Sequence, residues 1–444
     1  MGTFINLGSG GGGGGIIVAG TGTLSSVRCG VSSTASGNYS FGVGKANSST
    51  GNFSSVSGGA SNTASGLLST ISGGEKNLAQ AIGGFIGGGE CNNVCNSTSG
   101  CLAYGAVVVG GVGNNTTGGT WNLPTCTFTV APTICNAGIY SAVGGGFQNR
   151  ATGCYSTISG GFCNTASGAF STALGQCNTA SGYNSTVFGS CNVVSNNRST
   201  ALGFRNIVSG TQSTISGGYG NINSGSSSFL GAGCSNILTG DFSFIGAGIC
   251  NQTSYTFSGY AYGTAIDVIT GGQRNCISVN LNAGCESGGY NGNQVIGGGK
   301  FNCIINTGSG VYIDFYGFNT ISGGYNNVIR GDKGNTISGG YCNTICSGAF
   351  CSTILGGFRN SIRTGYMNIV GGSSNVLCGS DSIILGTSNI MGAFTSSAII
   401  GANITADRSC TLHINNLSIK SIPTSSAGLP SGSVWRNGNV LNIV

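Results

Sequence analysis

Charge is what this chain has least of. Asp, Glu, Lys and Arg make up 5% of its 444 residues, against about 25% in an ordinary soluble domain. The acids Glu75, Glu90, Asp241, Asp267, Glu286, Asp314, Asp332, Asp381 and Asp407 are dispersed along the sequence. Glycoside hydrolysis needs two carboxylates at a set separation; no local pair supplies them, and the chain is expected not to be an enzyme. Histidine is nearly absent, His413 being the single one. Cys91-x-x-x-Cys95 and Cys342-x-x-x-Cys346-x-x-x-x-Cys351 have ligand-like spacing but no histidine beside them, so no metal and no cofactor is expected. The net charge of +6 is spread over Arg150, Arg198, Arg205, Arg274, Arg330, Arg359 and others without a cluster, which argues against nucleic acid as a partner. No apolar run approaches the roughly 20 residues of a membrane helix, so no membrane insertion is expected. The start, Met1-Gly2-Thr3-Phe4-Ile5-Asn6-Leu7, has no basic-then-apolar secretory pattern; the expectation is assembly in a cytoplasm where thiols stay reduced.

Glycine, by contrast, is abundant at 87 residues, and what keeps so much of it from reading as disorder is spacing. The segments Asn164-Thr165-Ala166-Ser167-Gly168, Asn178-Thr179-Ala180-Ser181-Gly182, Asn192-Val193-Val194-Ser195-Asn196 and Asn206-Ile207-Val208-Ser209-Gly210 recur every fourteen residues. A second motif runs between them: Ser156-Thr157-Ile158-Ser159-Gly160, Ser171-Thr172-Ala173-Leu174-Gly175, Ser185-Thr186-Val187-Phe188-Gly189, Ser199-Thr200-Ala201-Leu202-Gly203 and Ser213-Thr214-Ile215-Ser216-Gly217. Each unit therefore carries two short strands and two turns, the signature of stacked rungs. Glycines such as Gly168, Gly182 and Gly210 permit turns with positive φ. Asn164, Asn178, Asn192 and Asn206 form a structural turn ladder, tolerating left-handed backbone, bonding the turn, and bonding one another up the column.

Side chains alternate across a strand, and in the pairs Ile158-Ser159, Ala173-Leu174, Val187-Phe188, Ala201-Leu202 and Ile215-Ser216 both faces are often apolar. One column must fill the interior of the coil; a second implies a further buried surface, most simply with other copies of the chain. Ile158, Leu174, Phe188, Leu202 and Ile215 are the candidate core and interface columns. Cys163, Cys177 and Cys191 each precede a ladder asparagine, and are read as small apolar thiols filling a stripe rather than as disulfides. The fold class is all-β: a parallel β-roll or β-solenoid of about fourteen-residue rungs, an elongated homotrimer of roughly twenty rungs per chain.

The frame divides the chain. Residues 1–30, with the run Gly10 to Gly15, are read as an attachment or capping segment; 31–103 as β-roll repeats; and 104–140, which hold Pro124 and Pro132, as a loop leaving the body. Residues 141–251 are regular repeats, 252–319 irregular and aromatic-rich, 320–406 regular again, and 407–444 a cap or hairpin with Asn437-Gly438 as its turn.

Asn164 to Gly168 and Ser171 to Gly175 resemble the head repeat of YadA-type trimeric autotransporter adhesins, over about two thirds of the chain. That resemblance implies a left-handed parallel β-roll with three chains side by side and small apolar side chains inside. The end, from Leu417-Ser418-Ile419-Lys420-Ser421-Ile422-Pro423 through Leu429-Pro430 and Val434-Trp435-Arg436-Asn437-Gly438 to Leu441-Asn442-Ile443-Val444, is similar to the closing segment of many phage virion proteins. The chain is expected to lack the signal peptide, coiled-coil stalk and membrane β-barrel anchor that a trimeric autotransporter needs. Together these imply a trimeric virion fibre, held by capsid or tail proteins and contacting a host-surface glycan or protein. The alternative is a cell-surface adhesin or extracellular filament. Trp121, Tyr255, Tyr260, Tyr262, Tyr312, Tyr316 and Trp435, in segments that break the frame, are the candidate receptor contacts, since such rings stack on sugars as readily as they pack in cores.

Overall fold

The structure is a computed structural model that describes residues 17–22, 27–30, 32–95, 104–257, 266–281, 293–308, 318–330, 334–418 and 421–444. Among these every regular element is a strand, most of them only two residues long. The chain is a parallel β-solenoid that divides into two compact units: Met1–Phe301 with Gly308–Tyr316, and Asn302–Thr307 with Gly317–Val444.

Short strands suffice because each turn of backbone is hydrogen-bonded to the next by the same residues. In the first unit Thr165–Ala166 pairs in parallel with Thr179–Ala180, which pairs with Val193–Val194, then Ile207–Val208. On the other side Thr172–Gln176 pairs with Thr186–Ser190 and then Thr200–Phe204. The asparagine motif builds one sheet, the Ser-Thr motif the other, and the interior is the space between them. Ala166, Ala180, Val194 and Val208 meet Ile158, Ala173, Val187, Ala201 and Ile215 there, all fully buried. The second unit repeats the plan with larger aliphatics, Ile321, Ile337 and Ile354 against Ile329, Ile345 and Ile362.

The candidate columns therefore separate. Ile158 and Ile215 are interior, whereas Leu174 and Phe188 are 40% and 37% exposed and Leu202 is half-buried, all three on the outer face of the same sheet. The reason is parity: the residue after Thr points inward, as Leu230 does in a later turn, and Leu174, Phe188 and Leu202 come one place further on, on the opposite side of the strand.

Two polar columns accompany the apolar ones. Each ladder asparagine is fully buried. Asn178 Nδ2 donates to Leu174 O at 2.9 Å, Gly189 O at 2.7 Å and Asn164 Oδ1 at 3.1 Å, and its Oδ1 accepts the Asn192 N–H at 3.0 Å. The left-handed backbone falls on the residue before the asparagine, Cys163, Cys177, Cys191 and Arg205, with φ between 53° and 56°. Such a conformation costs a non-glycine residue about 1–2 kcal/mol, and it persists because the asparagine side chain ties down the corner on both sides. Gly168, Gly182 and Gly210, contrary to expectation, are not left-handed; they are glycine because a Cβ there would sit 1.9–2.0 Å from a carbonyl oxygen of the next turn.

The second column is serine, and it ends on an acid. Ser228 N–H donates to Ser213 Oγ at 3.3 Å, Ser243 N–H to Ser228 Oγ at 3.1 Å, and Asp267 N–H to Ser243 Oγ at 3.3 Å. The Asp267 carboxyl lies wholly inside. Neither oxygen makes a hydrogen bond of normal geometry, and the Gln294 backbone N–H offsets the burial only in part. Burial pushes the acid from 3.8 to about 7. A folded-state value above the unfolded one means that the native state holds the extra proton. Stability is then complete below the unfolded value, falls as pH rises between about 4 and 7, and stays low above. At about 1.4 kcal/mol per pH unit the loss is roughly 4 kcal/mol. Asp267→Asn should remove this slope, since Asn319 and Asn335 occupy the same column position in the second unit and donate nothing foreign to it. Urea midpoints of both proteins at pH 4 and pH 8 check it; parallel pH profiles would refute the assignment.

The ends and the interruption differ from expectation in detail. Ile17–Ala19 runs antiparallel to Val27–Cys29, which starts the parallel ladder on Phe41–Val43, so the sheet begins inside the expected capping segment and its first edge is covered. The expected loop 104–140 is too wide. Val107–Val108 pairs with Phe85–Ile86 on one side and Ala142–Val143 on the other, and Asn114 is a ladder member through Asn92. Ala106-Val107-Val108-Val109-Gly110 is thus the Ser-Thr motif with its polar residues replaced. The true insertion is a pair of antiparallel ribbons, Thr116–Thr117 with Thr133–Ile134 and Thr120–Asn122 with Thr127–Val130. In the first unit the frame also survives past residue 252, as Phe244–Ile245, Asp267–Ile269 and Gln294–Ile296 stay in register. In the second, Leu412–Ile414 still pairs with Ala398–Ala402, inside the expected cap. The closing hairpin pairs Asn437 with Val440, so its central residues are Gly438-Asn439, one place later than expected. Gly438 has φ 62° and Asn439 is not left-handed, the pattern of a II′ turn, which wants glycine first.

Candidate functional site

What remains for function is the outside of the solenoid, and its columns are as regular as the inside. Beside Leu174, Phe188 and Leu202 stands a half-buried threonine column, Thr172, Thr186 and Thr200. The result is an apolar stripe with no charge of its own. At one corner the left-handed position stacks aromatics: Tyr140 on Tyr155 at 5.4 Å and Tyr155 on Phe170 at 4.9 Å, with Tyr183 edge-on at 5.6 Å. At the opposite corner Phe147 stacks on Phe162 at 5.2 Å. In the second unit Tyr325, Tyr341 and Phe358 stack at 4.9 and 5.4 Å, and Arg359 lies over the last ring at 4.8 Å. Turns of a parallel ladder are about 4.8 Å apart, so any repeated ring at a corner stacks without further design. These ladders were missed in the sequence; recurrence of Tyr or Phe two, or eight to nine, places before an asparagine was the signal that could have found them.

The cysteine column is also outside. Cys163, Cys177 and Cys191 occupy the left-handed corner, half-buried or exposed, and all described cysteines are free. They fill no interior stripe, because the corner residue turns away from the space between the sheets. Burial raises the Cys163 and Cys177 thiols, and the thiol of the next turn raises each further. Among the described residues no group of three or more His, Cys, Asp or Glu is arranged to hold a metal ion.

The candidate receptor aromatics scatter. The Trp121 ring packs edge-on against Phe128 at 5.0 Å and Phe147 at 5.7 Å, pinning the inserted ribbons onto the solenoid's own aromatic ladder. Trp435 is half-buried in the closing hairpin. Tyr255 lies in the strand Gln252–Phe257, its side chain outside what is described, and Tyr260, Tyr262, Tyr312 and Tyr316 lie outside the described residues altogether.

The insertion does create one concavity. Where its last ribbon returns to the body, a cleft of about 500 Å³ opens between Ile134, Asn136 and Ile139 on one wall and Arg150, Thr152 and Cys154 on the other. Arg150 stands at the outward position that Thr165 and Thr179 hold in the next turns.

The family model for the ubiquitous surface protein adhesin repeat matches residues 156–168, a strand, corner and ladder asparagine of the regular region. Comparison with curated proteins finds no match. The repeat and the solenoid that it builds fit a fibre or adhesin-like role for a surface-exposed protein.

Proposed function

We propose that the chain is the subunit of a homotrimeric fibre that projects from a virion, held by capsid or tail proteins, and contacts a host-surface glycan or protein. It acts through shape and surface, with no reaction to catalyse and no cofactor to hold. The observation that carries this reading is the outward stripe of Leu174, Phe188 and Leu202. Apolar side chains repeated at one outward position for successive turns present a flat, self-complementary strip, and three such strips bury one another about a common axis. Each exposed Leu or Phe removed from water contributes roughly 1.5–3 kcal/mol at most, so a few turns outweigh the cost of association.

The test is mass. Light scattering on the full chain should give three times 43.8 kDa, and Leu174→Lys with Leu202→Lys should shift it toward monomer while leaving the strand signal in circular dichroism unchanged. A monomeric parent would remove the foundation of the proposal. A second reading, a cell-surface adhesin, is favoured by the adhesin-repeat match at 156–168. Immunogold labelling of native material separates the two: label on virions supports the fibre, and label on cell envelopes supports the adhesin.

A further inference from the structure

One sheet of the first unit is interrupted by the insertion, and the interruption leaves a cationic side chain without a partner. The ladder of Thr34–Ala35, Ser48–Ser49, Thr63–Ala64 and Leu78–Ala79 ends at Asn93–Val94, and the next begins with Arg150–Ala151 on Thr165–Ala166. Among the described residues no regular strand bridges them. Instead Asn93 Nδ2 donates to Cys135 O at 2.9 Å, and Asn115 Oδ1 accepts the Ala151 N–H at 2.9 Å. The rung between them is built in two parts, with Asn93 N–H donating to Asn114 O and Asn115 N–H to Asn149 O in the first, and Ala137 N–H donating to Cys95 O and Gly138 N–H to Ala151 O in the second, so that the inserted segment leaves and rejoins the body in mid-rung, beside Arg150. The cleft is the space that this leaves.

Arg150 points into that cleft with its Nε buried and without a hydrogen bond. Among the described residues its guanidinium has no ion pair, and no carboxylate lines the cleft. Leaving a buried charged donor unpaired is among the costlier features a surface can carry, whereas a guanidinium facing a carboxylate forms two parallel charge-assisted bonds. The remaining lining is mixed. Ile134 and Ile139 offer hydrocarbon, Asn136 an amide, Thr152 a hydroxyl. A volume of about 500 Å³ falls in the range of small-molecule sites and suits one hexose-sized ring.

We infer that this cleft is a binding site for an acidic sugar residue, its carboxylate on Arg150, its hydroxyls toward Asn136 and Thr152, and its C–H face on Ile134 and Ile139. The assignment rests on the attachment reading for the source of the sugar, a glycan on a contacted surface, but the cleft and its unpaired guanidinium stand without it. The inserted ribbons then serve to build a ligand site on the body, and Trp121 serves to hold them in place.

The experiment uses the full chain and four probes: N-acetylneuraminate, glucuronate, glucose and inorganic phosphate, each titrated by calorimetry and by saturation-transfer NMR. The expected result is binding of at least one acid, glucose weaker by about tenfold or more, and loss of roughly the same factor in Arg150→Gln, the weight of a charge-assisted pair. Arg150→Gln should keep or raise its urea midpoint, since the residue makes only backbone bonds to the ladder and the change removes an unpaired charge. Binding of neither acid, equal binding of glucose, phosphate competing as well as the acids, or an unaffected Gln variant would each overturn the proposal. Labelled chain on host surfaces keeps the two readings apart. Surface decoration without acid binding removes the site and leaves attachment standing; Arg150-dependent acid binding without decoration does the reverse.

Discussion

Gly189→Ala is expected to unfold the middle of the regular region, while Gly217→Ala is expected to leave it intact. Gly189 has φ 111°, and a Cβ there would sit 2.1 Å from Gly203 O of the next turn and 3.0 Å from Asn192 Nδ2. The first contact is with backbone that cannot move without breaking the ladder above it. The strained φ alone costs about 1–3 kcal/mol, and the collision adds to it, so a total loss above about 4 kcal/mol is expected. A Cβ on Gly217 meets nothing within 4 Å. Urea midpoints for the two variants check the contrast, and hydrogen exchange should place the damage between residues 174 and 206. Equal midpoints would mean that the turns are spaced widely enough to admit a Cβ at Gly189.

Asn178→Ala is the second large effect. It strips two backbone carbonyls and the Asn164 Oδ1 of a donor, and leaves the Asn192 N–H without an acceptor, all in a fully buried column. Each orphaned buried group costs about 1–3 kcal/mol, so a loss of at least about 3 kcal/mol is expected. Asn197→Ala is the control: its Oδ1 accepts only the Tyr183 N–H at 2.9 Å on an exposed corner, worth about 0.5–1.5 kcal/mol. In a solenoid stability is a sum over neighbouring turns, so exchange protection near residues 164–206 is the more direct readout than a global melt. An Asn178→Ala protein within about 1 kcal/mol of the parent would show that the ladder is ornamental.

The two effects share a cause, which also explains how the fold came to be legible. Gly189 leaves room for Asn192 Nδ2, while its own carbonyl receives Asn178 Nδ2. Glycine and asparagine are thus two halves of one corner, repeated every fourteen residues in this stretch. Because the same local chemistry recurs in each turn, spacing alone reveals the stacking. Where the chemistry is substituted, as in Ala106-Val107-Val108-Val109-Gly110, the turn persists but its motif does not, since Val107 and Val108 need only pair with Phe85–Ile86 and Ala142–Val143 to hold their place. The boundary of the insertion was therefore set too wide.

The surface was less legible than the core. Cys163, Cys177 and Cys191 share a position in every unit, yet a column drawn on paper has no inside or outside until the corner's backbone is known, and φ near 55° turns them outward. Trp121 reads as a ring available for stacking, and only its contacts with Phe128 and Phe147 reveal it as an anchor. The cleft at Arg150 joins residues 134–139 to 150–154 across a break in a sheet, and no motif encodes a break.

By itself the sequence determined the solenoid, its two sheets, its corner ladder and its freedom from charge, because each of these is written in short-range spacing that every turn repeats. Tertiary structure alone decided which of two adjacent apolar residues faces inward, since parity is settled by the backbone at the corners. It also decided where a ligand could sit, because this concavity arises where an inserted segment leaves a rung after Asn115 and rejoins it at Ala137.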